Sequence, residues 1–252
     1  MRVSQPREPI LNVPAAVVAV LLLLVAVHAG RVLLLTPDTD RRLLWLFSFI
    51  PARYDASPLP GGPIPGGFGA QVWTFVTYSL LHADITHLAV NSIWLLAFGS
   101  PVARRFRTMR FLAFGVVTVI GGALVHLATN AGQMSFMIGA SAAVSGMMGA
   151  ATRFEFQPGG SLDMWRPPDV DPDRIPAAPL LVALRNPRVI AFVTVWFAIN
   201  LIFGVGSLPI FGADQSVAWQ AHVGGFLAGL LLFAAFDPVP RPTDSESAPT
   251  TH

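Results

Sequence analysis

Long apolar stretches, separated by polar, Pro-rich or Arg-rich links, dominate this chain. A helix needs about 20 apolar residues to cross a hydrocarbon core of about 30 Å. On that measure the pattern predicts six membrane-spanning helices, at about 14–31, 85–102, 111–129, 137–152, 189–203 and 217–236. The fourth is short: at 1.5 Å per residue it covers roughly 24 Å, so it begins or ends below a membrane surface. Two further apolar segments fall short of a span. Arg41 to Ile50 (RRLLWLFSFI) reads as an amphipathic helix lying in the interface. Val72 to Leu81 is too short to cross alone. Residues 154–188 form a polar, Pro-rich link, and 237–252 a Pro/Ser/Thr-rich tail expected to be disordered and cytoplasmic.

Composition agrees with this pattern. The chain is 53% hydrophobic and 12% charged, about half the charge of a soluble domain. It is read as an all-α integral membrane protein. The first ten residues lack the signal-peptide pattern, so the first span is expected to be retained. Every basic residue is Arg, and a net charge of +2 is too small to argue for nucleic acid. The absence of cysteine removes disulfides and thiolate metal sites, and no metal or cofactor is expected. Arg104, Arg105, Arg107 and Arg110 crowd one link; Arg153, Arg166, Arg174, Arg185 and Arg188 flank or occupy another. The links 130–136 and 204–216 carry none. The positive-inside rule then places both termini in the cytoplasm, although Arg41, Arg42 and Arg53 fall on the outer side.

Candidate chemistry lies inside the apolar blocks, where polar groups are expensive and usually functional. Ser141 stands near the start of the fourth span and His222 near the start of the sixth. Both spans begin at the outer face, which puts the two residues roughly 6–7 Å deep on the same side. His87 and Asn91, spaced i,i+4, share one face at the start of the second span. Free amides at a helix start are donors, as acyl transfer requires for its oxyanion. Gly139, Ala142, Gly146 and Gly149 on one span, and Gly225-x-x-x-Gly229 on another, let backbones approach closely. Ser145 is a rival nucleophile one turn after Ser141. His28, His82 and His126 lie near the outer side and offer a proton or metal path as another function.

Gln71-Val72-Trp73 through Leu81-His82, His87-Leu88-Ala89-Val90-Asn91, Phe98-Gly99, Gly139-Ala140-Ser141 and Ala221-His222-Val223-Gly224-Gly225 together resemble the rhomboid intramembrane serine proteases of the bacterial, six-helix form. The resemblance covers nearly all of the membrane core. It implies a six-helix rhomboid bundle and a Ser–His dyad without a carboxylate: Ser141 as nucleophile and His222 as general base, then general acid. His87, Asn91 and the Ser141 amide would form the oxyanion hole. Single-span membrane proteins would be the substrates, in the lipid bilayer of a bacterial inner membrane. An inactive scaffold that binds transmembrane helices is the alternative, as is a His-lined transporter. Four positions depart from the family pattern. Ala142 replaces a glycine, Ser145 an aromatic that would stack on the histidine, and Thr74 an arginine; the acidic residue expected near Ala103 is absent.

Overall fold

The computed structural model describes residues 13–55, 62–205 and 218–240. The link 206–217 and residues 241–252 of the tail lie outside the described residues. Nine α-helices are described: α1 (Ala15–Leu34), α2 (Pro37–Phe47), α3 (Gly67–Thr77), α4 (Ile85–Trp94), α5 (Ser100–Thr129), α6 (Ser141–Ala151), α7 (Leu180–Arg185), α8 (Pro187–Val205) and α9 (Trp219–Phe236). Among the described residues there is no strand beyond one bridge, Phe49 with Met137. The molecule is an all-α membrane bundle.

Helices α1 and α9 and the helical run 85–129 are each long and apolar enough to cross a membrane. That run continues from α4 through a wide π turn at 95–99 into α5, and it folds back on itself at Arg107, where φ is +61°. Phe106 and Phe114 lie with ring centroids 5.1 Å apart; along an unbroken helix they would be roughly 12 Å apart. The helical run therefore doubles back between the second and third expected spans.

Small residues draw α5, α6 and α9 into one seam. A Cβ on Gly122 would meet the Ala142 Cβ at 2.6 Å and the Ala221 carbonyl at 2.8 Å. A Cβ on Gly225 would collide with the Ala142 carbonyl, and one on Gly229 with the Gly146 carbonyl. These contacts advance together in steps of four residues, so α6 and α9 run parallel with their backbones touching. Enclosed this way, α6 is buried from Val144 to Ala151. It need not span lipid, which allows it only 11 residues.

Helix α6 is shorter than the sequence pattern suggests because it begins at Ser141 instead of near 137. Met137 is held extended by paired hydrogen bonds with Phe49 (3.1 and 2.9 Å), and the Gly139 amide donates to the Tyr78 carbonyl (3.0 Å). Gly139 has φ +121°, a conformation that favours glycine. The interfacial helix shifts for related reasons. α2 starts at Pro37, where Thr36 caps the Thr39 amide and proline occupies the first turn. It stops at Phe47 because Phe49 is committed to Met137.

The first loop is braced without the family's arginine. Thr74 is buried, donates to the Ala70 carbonyl (2.6 Å) and lies 3.0 Å from the Tyr54 hydroxyl. The guanidinium comes from Arg53, which is buried and donates to the carbonyls of Pro65 and Trp45. At the other end of the bundle, Arg105 makes a bidentate pair with Asp237, both bonds 2.8 Å. Asp237, expected to open the disordered tail, is thereby fixed at the end of α9.

Candidate active site

A cavity of about 540 Å³ opens among α4, α6, α8 and α9. Its lining includes Ser141, His222, His87 and Asn91, together with Ser145 and Asn200. Ser141 is the first residue of α6, and the helix-start residue before it, Ala140, offers no side-chain cap. The first-turn amides of α6 thus have neither an intrahelical partner nor a capping side chain, and the helix dipole favours an anion in front of them. By contrast, α4 is capped: the Asp84 carboxylate accepts from the His87 amide at 2.8 Å.

That cap sets His87 at the start of α4. The Ala83 amide donates to His87 Nδ1 (3.5 Å). With Nδ1 as acceptor, the proton of the neutral ring sits on Nε2. His87 Nε2 lies 2.7 Å from where a Cβ on Gly139 would be, and Asn91 Nδ2 lies 3.6 Å from the same point. Both donors therefore flank the turn that leads into Ser141. Asn91 Nδ2 is buried and has no hydrogen-bond partner. A buried donor left unpaired normally costs about 1–3 kcal/mol, so its place beside this cavity calls for a chemical reason.

His222 approaches from α9 one turn before Gly225, whose α-carbon abuts the Ala142 carbonyl. Serine and histidine are thus carried by two helices in backbone contact one residue and one turn away. His222 Nδ1 lies 2.5 Å from Asn200 Oδ1 on α8. Asn200 answers what holds the histidine in place of an aromatic. Its signal was legible: it is the one amide side chain in a span whose only other polar side chain is Thr194. Being neutral, its amide escapes the rule that intramembrane charge marks function.

The remaining histidines divide. His28 and His82 are buried, and His28 Nδ1 has no hydrogen-bond partner. The His82 ring stands 5.1 Å from that of His87. His126 is elsewhere, its Nδ1 3.3 Å from Asn130 Nδ2 and its ring against Phe49. Among the described residues no three His, Cys, Asp or Glu side chains are arranged to hold a metal ion.

Comparison with known proteins bears on this geometry. The family model for the Rhomboid domain matches residues 69–237, which includes every residue of the cavity. The chain belongs to the rhomboid family. Rhomboids are intramembrane proteases in general, and the bundle is an integral membrane protein accordingly. RHOMBOID-like protein 5 of Arabidopsis thaliana is 29% identical over 160 residues, 64% of this chain and 42% of the relative. RHOMBOID-like protein 6, mitochondrial, of the same plant is 26% identical over 205 residues, 77% of this chain and 57% of the relative. Rhomboid-like protease 3 of Toxoplasma gondii is 33% identical over 79 residues, 31% of this chain and 29% of the relative. The chain thus spans about half or less of the length of these relatives, and none of them ties it to a bacterial membrane.

Proposed function

We propose that this rhomboid is an active intramembrane serine endopeptidase. The observation that carries the reading is the uncapped start of α6. Ser141 stands there facing one cavity with His222, while the donors of His87 and Asn91 flank the turn before it. In the reaction Ser141 Oγ attacks the scissile carbonyl as its proton passes to His222 Nε2. The oxyanion lies against the α6 amides, His87 Nε2 and Asn91 Nδ2. His222 then gives its proton to the leaving nitrogen, the C–N bond breaks and an acyl-serine remains. Water, deprotonated by His222, hydrolyses that ester. The residues suffice without metal or cofactor.

The test is cleavage of a single-span model substrate in liposomes. Ser141→Ala should lose turnover by several orders of magnitude with the fold intact, whereas Ser145→Ala should retain it. The reverse ranking would reassign the nucleophile, and full activity of both variants would end the hydrolase reading.

The substrate class follows from where the cavity lies. Its walls toward lipid are α4, with Val90 and Trp94, and α8, with Phe192, Val195 and Ile199. Much of the opposite face of α8 is exposed, as at Ile190, Phe197 and Leu201. A transmembrane helix enters sideways between α4 and α8. The chain has no cysteine, so a single engineered disulfide can join these helices. Complete cross-linking should abolish cleavage and reduction should restore it; undiminished activity in the linked protein would exclude this route. The Arg-rich links support a topology with both termini in the cytoplasm. A cysteine introduced at Trp165, which is exposed, should react with an impermeant maleimide only after the membrane is opened; labelling of intact cells would invert the topology.

A further inference from the structure

We infer that Asn200 is the positioning residue of His222, fixing the tautomer of the base from α8, so that the base is oriented only while α8 is seated against α9. The inference rests on the hydrolase reading above.

The argument begins with the amide. An asparagine side chain has one donor end and one acceptor end. Asn200 Nδ2 donates to the Trp196 carbonyl one turn back (2.8 Å), and the group is buried. The donor end is therefore occupied, and the end facing His222 is the carbonyl oxygen, 2.5 Å from Nδ1. An oxygen there requires a proton on Nδ1. In the neutral ring this leaves the lone pair on Nε2, the form a base needs toward Ser141. Were the amide reversed, its NH2 would oppose Nδ1–H and force the unproductive tautomer. The Trp196 carbonyl prevents that reversal.

The same two helices hold a second rung. Trp196, four residues before Asn200, stacks on Phe226, four residues after His222, with ring centroids 4.7 Å apart and planes 26° apart. The polar and aromatic rungs align, so displacement of α8 withdraws the acceptor from His222. A simple interhelical clamp would also join Asn to His, but it would have no effect on which ring nitrogen carries the proton.

That difference sets the experiment. Full-length protein is labelled with ¹⁵N in histidine, and the His222 ring signals are identified by their loss in His222→Gln. The wild type should show the Nδ1–H tautomer. Asn200→Leu, close in volume but without an acceptor, should show mixed tautomers. On the model substrate its kcat should fall roughly ten- to hundredfold with KM unchanged, by analogy with the loss seen when a metal-bound imidazole loses its orienting partner. A wild-type ring protonated on Nε2 would overturn the inference. So would a folded Asn200→Leu protein with wild-type kcat, or one that keeps the Nδ1–H tautomer. If Asn200→Leu fails to fold, Asn200→Ala takes the same two measurements. A wild type that carries the Nδ1–H tautomer yet never cleaves would remove the hydrolase reading and leave the tautomer assignment standing.

Discussion

The polar groups around the cavity differ in what their removal should do. In the proposed mechanism His87 and Asn91 meet charge that exists only in the tetrahedral intermediate, so their loss should act on kcat more than on KM. Loss of one oxyanion donor typically costs about 2.7–4 kcal/mol, and the uncapped amides of α6 share that role. His87→Ala and Asn91→Ala should each lower kcat by roughly one to three orders of magnitude with KM little changed. A variant that raised KM alone would be a substrate contact. Asn91→Ala carries a second signature. Because Asn91 Nδ2 is buried without a partner, its removal relieves a desolvation cost, and thermal stability should hold or rise while activity falls.

At the scale of elements, the site depends on helices whose backbones touch. The α6–α9 seam places Gly225 against the Ala142 carbonyl, one residue past the serine and one turn past the histidine. An added methyl there must push the helices apart. Gly225→Ala should lower the melting temperature and abolish cleavage together. Gly30→Ala, in α1 where a Cβ would meet nothing within 4 Å, should leave cleavage unchanged and hold or raise the melting temperature, since alanine favours a helix by about 1 kcal/mol over glycine. Equal behaviour of the two variants would show that the seam has room for a methyl group. Asn200 depends on the same logic from the other side, since α8 reaches α9 through Trp196 and Asn200.

For the whole molecule, the end of the bundle remote from the cavity is tied by buried charge. Arg105 pairs with Asp237, donates to the Ile175 carbonyl (2.9 Å) and lies over the Phe154 ring (4.7 Å). Arg153 donates twice to the Ala178 carbonyl (3.1 and 2.9 Å). Among these groups sits Glu155, buried, with Oε1 unpartnered. Burial pushes its carboxyl up to about 7, with Asp173 adding to the rise and Ser161, Arg104 and Arg105 opposing it. A carboxyl raised in the folded state destabilises once it ionises. Its cost is absent below the unfolded value of 4.5, grows as pH rises from there to about 7, and is complete above. Glu155→Gln should therefore raise the melting temperature at pH 8 and change it little at pH 4.5. A gain independent of pH would mean that Glu155 titrates normally.

The class of molecule, the small-residue faces and the positions of Ser141, His222, His87 and Asn91, which line one cavity, were legible in the chain, because each is written in local composition or spacing. A membrane demands long apolar runs, and close helix contact demands glycine. What only the tertiary structure decided are pairings between distant segments. Met137 is extended because Phe49 takes its hydrogen bonds, and so α6 begins at Ser141. Arg53 replaces an arginine missing at Thr74 because both line one loop. Arg105 and Arg153, counted from sequence as topology signals, are buried structural groups. Asn200 meets His222 because α8 lies beside α9. No local rule reports such contacts, since the free energy that selects them is shared between residues far apart in the chain and exists only once the helices have packed.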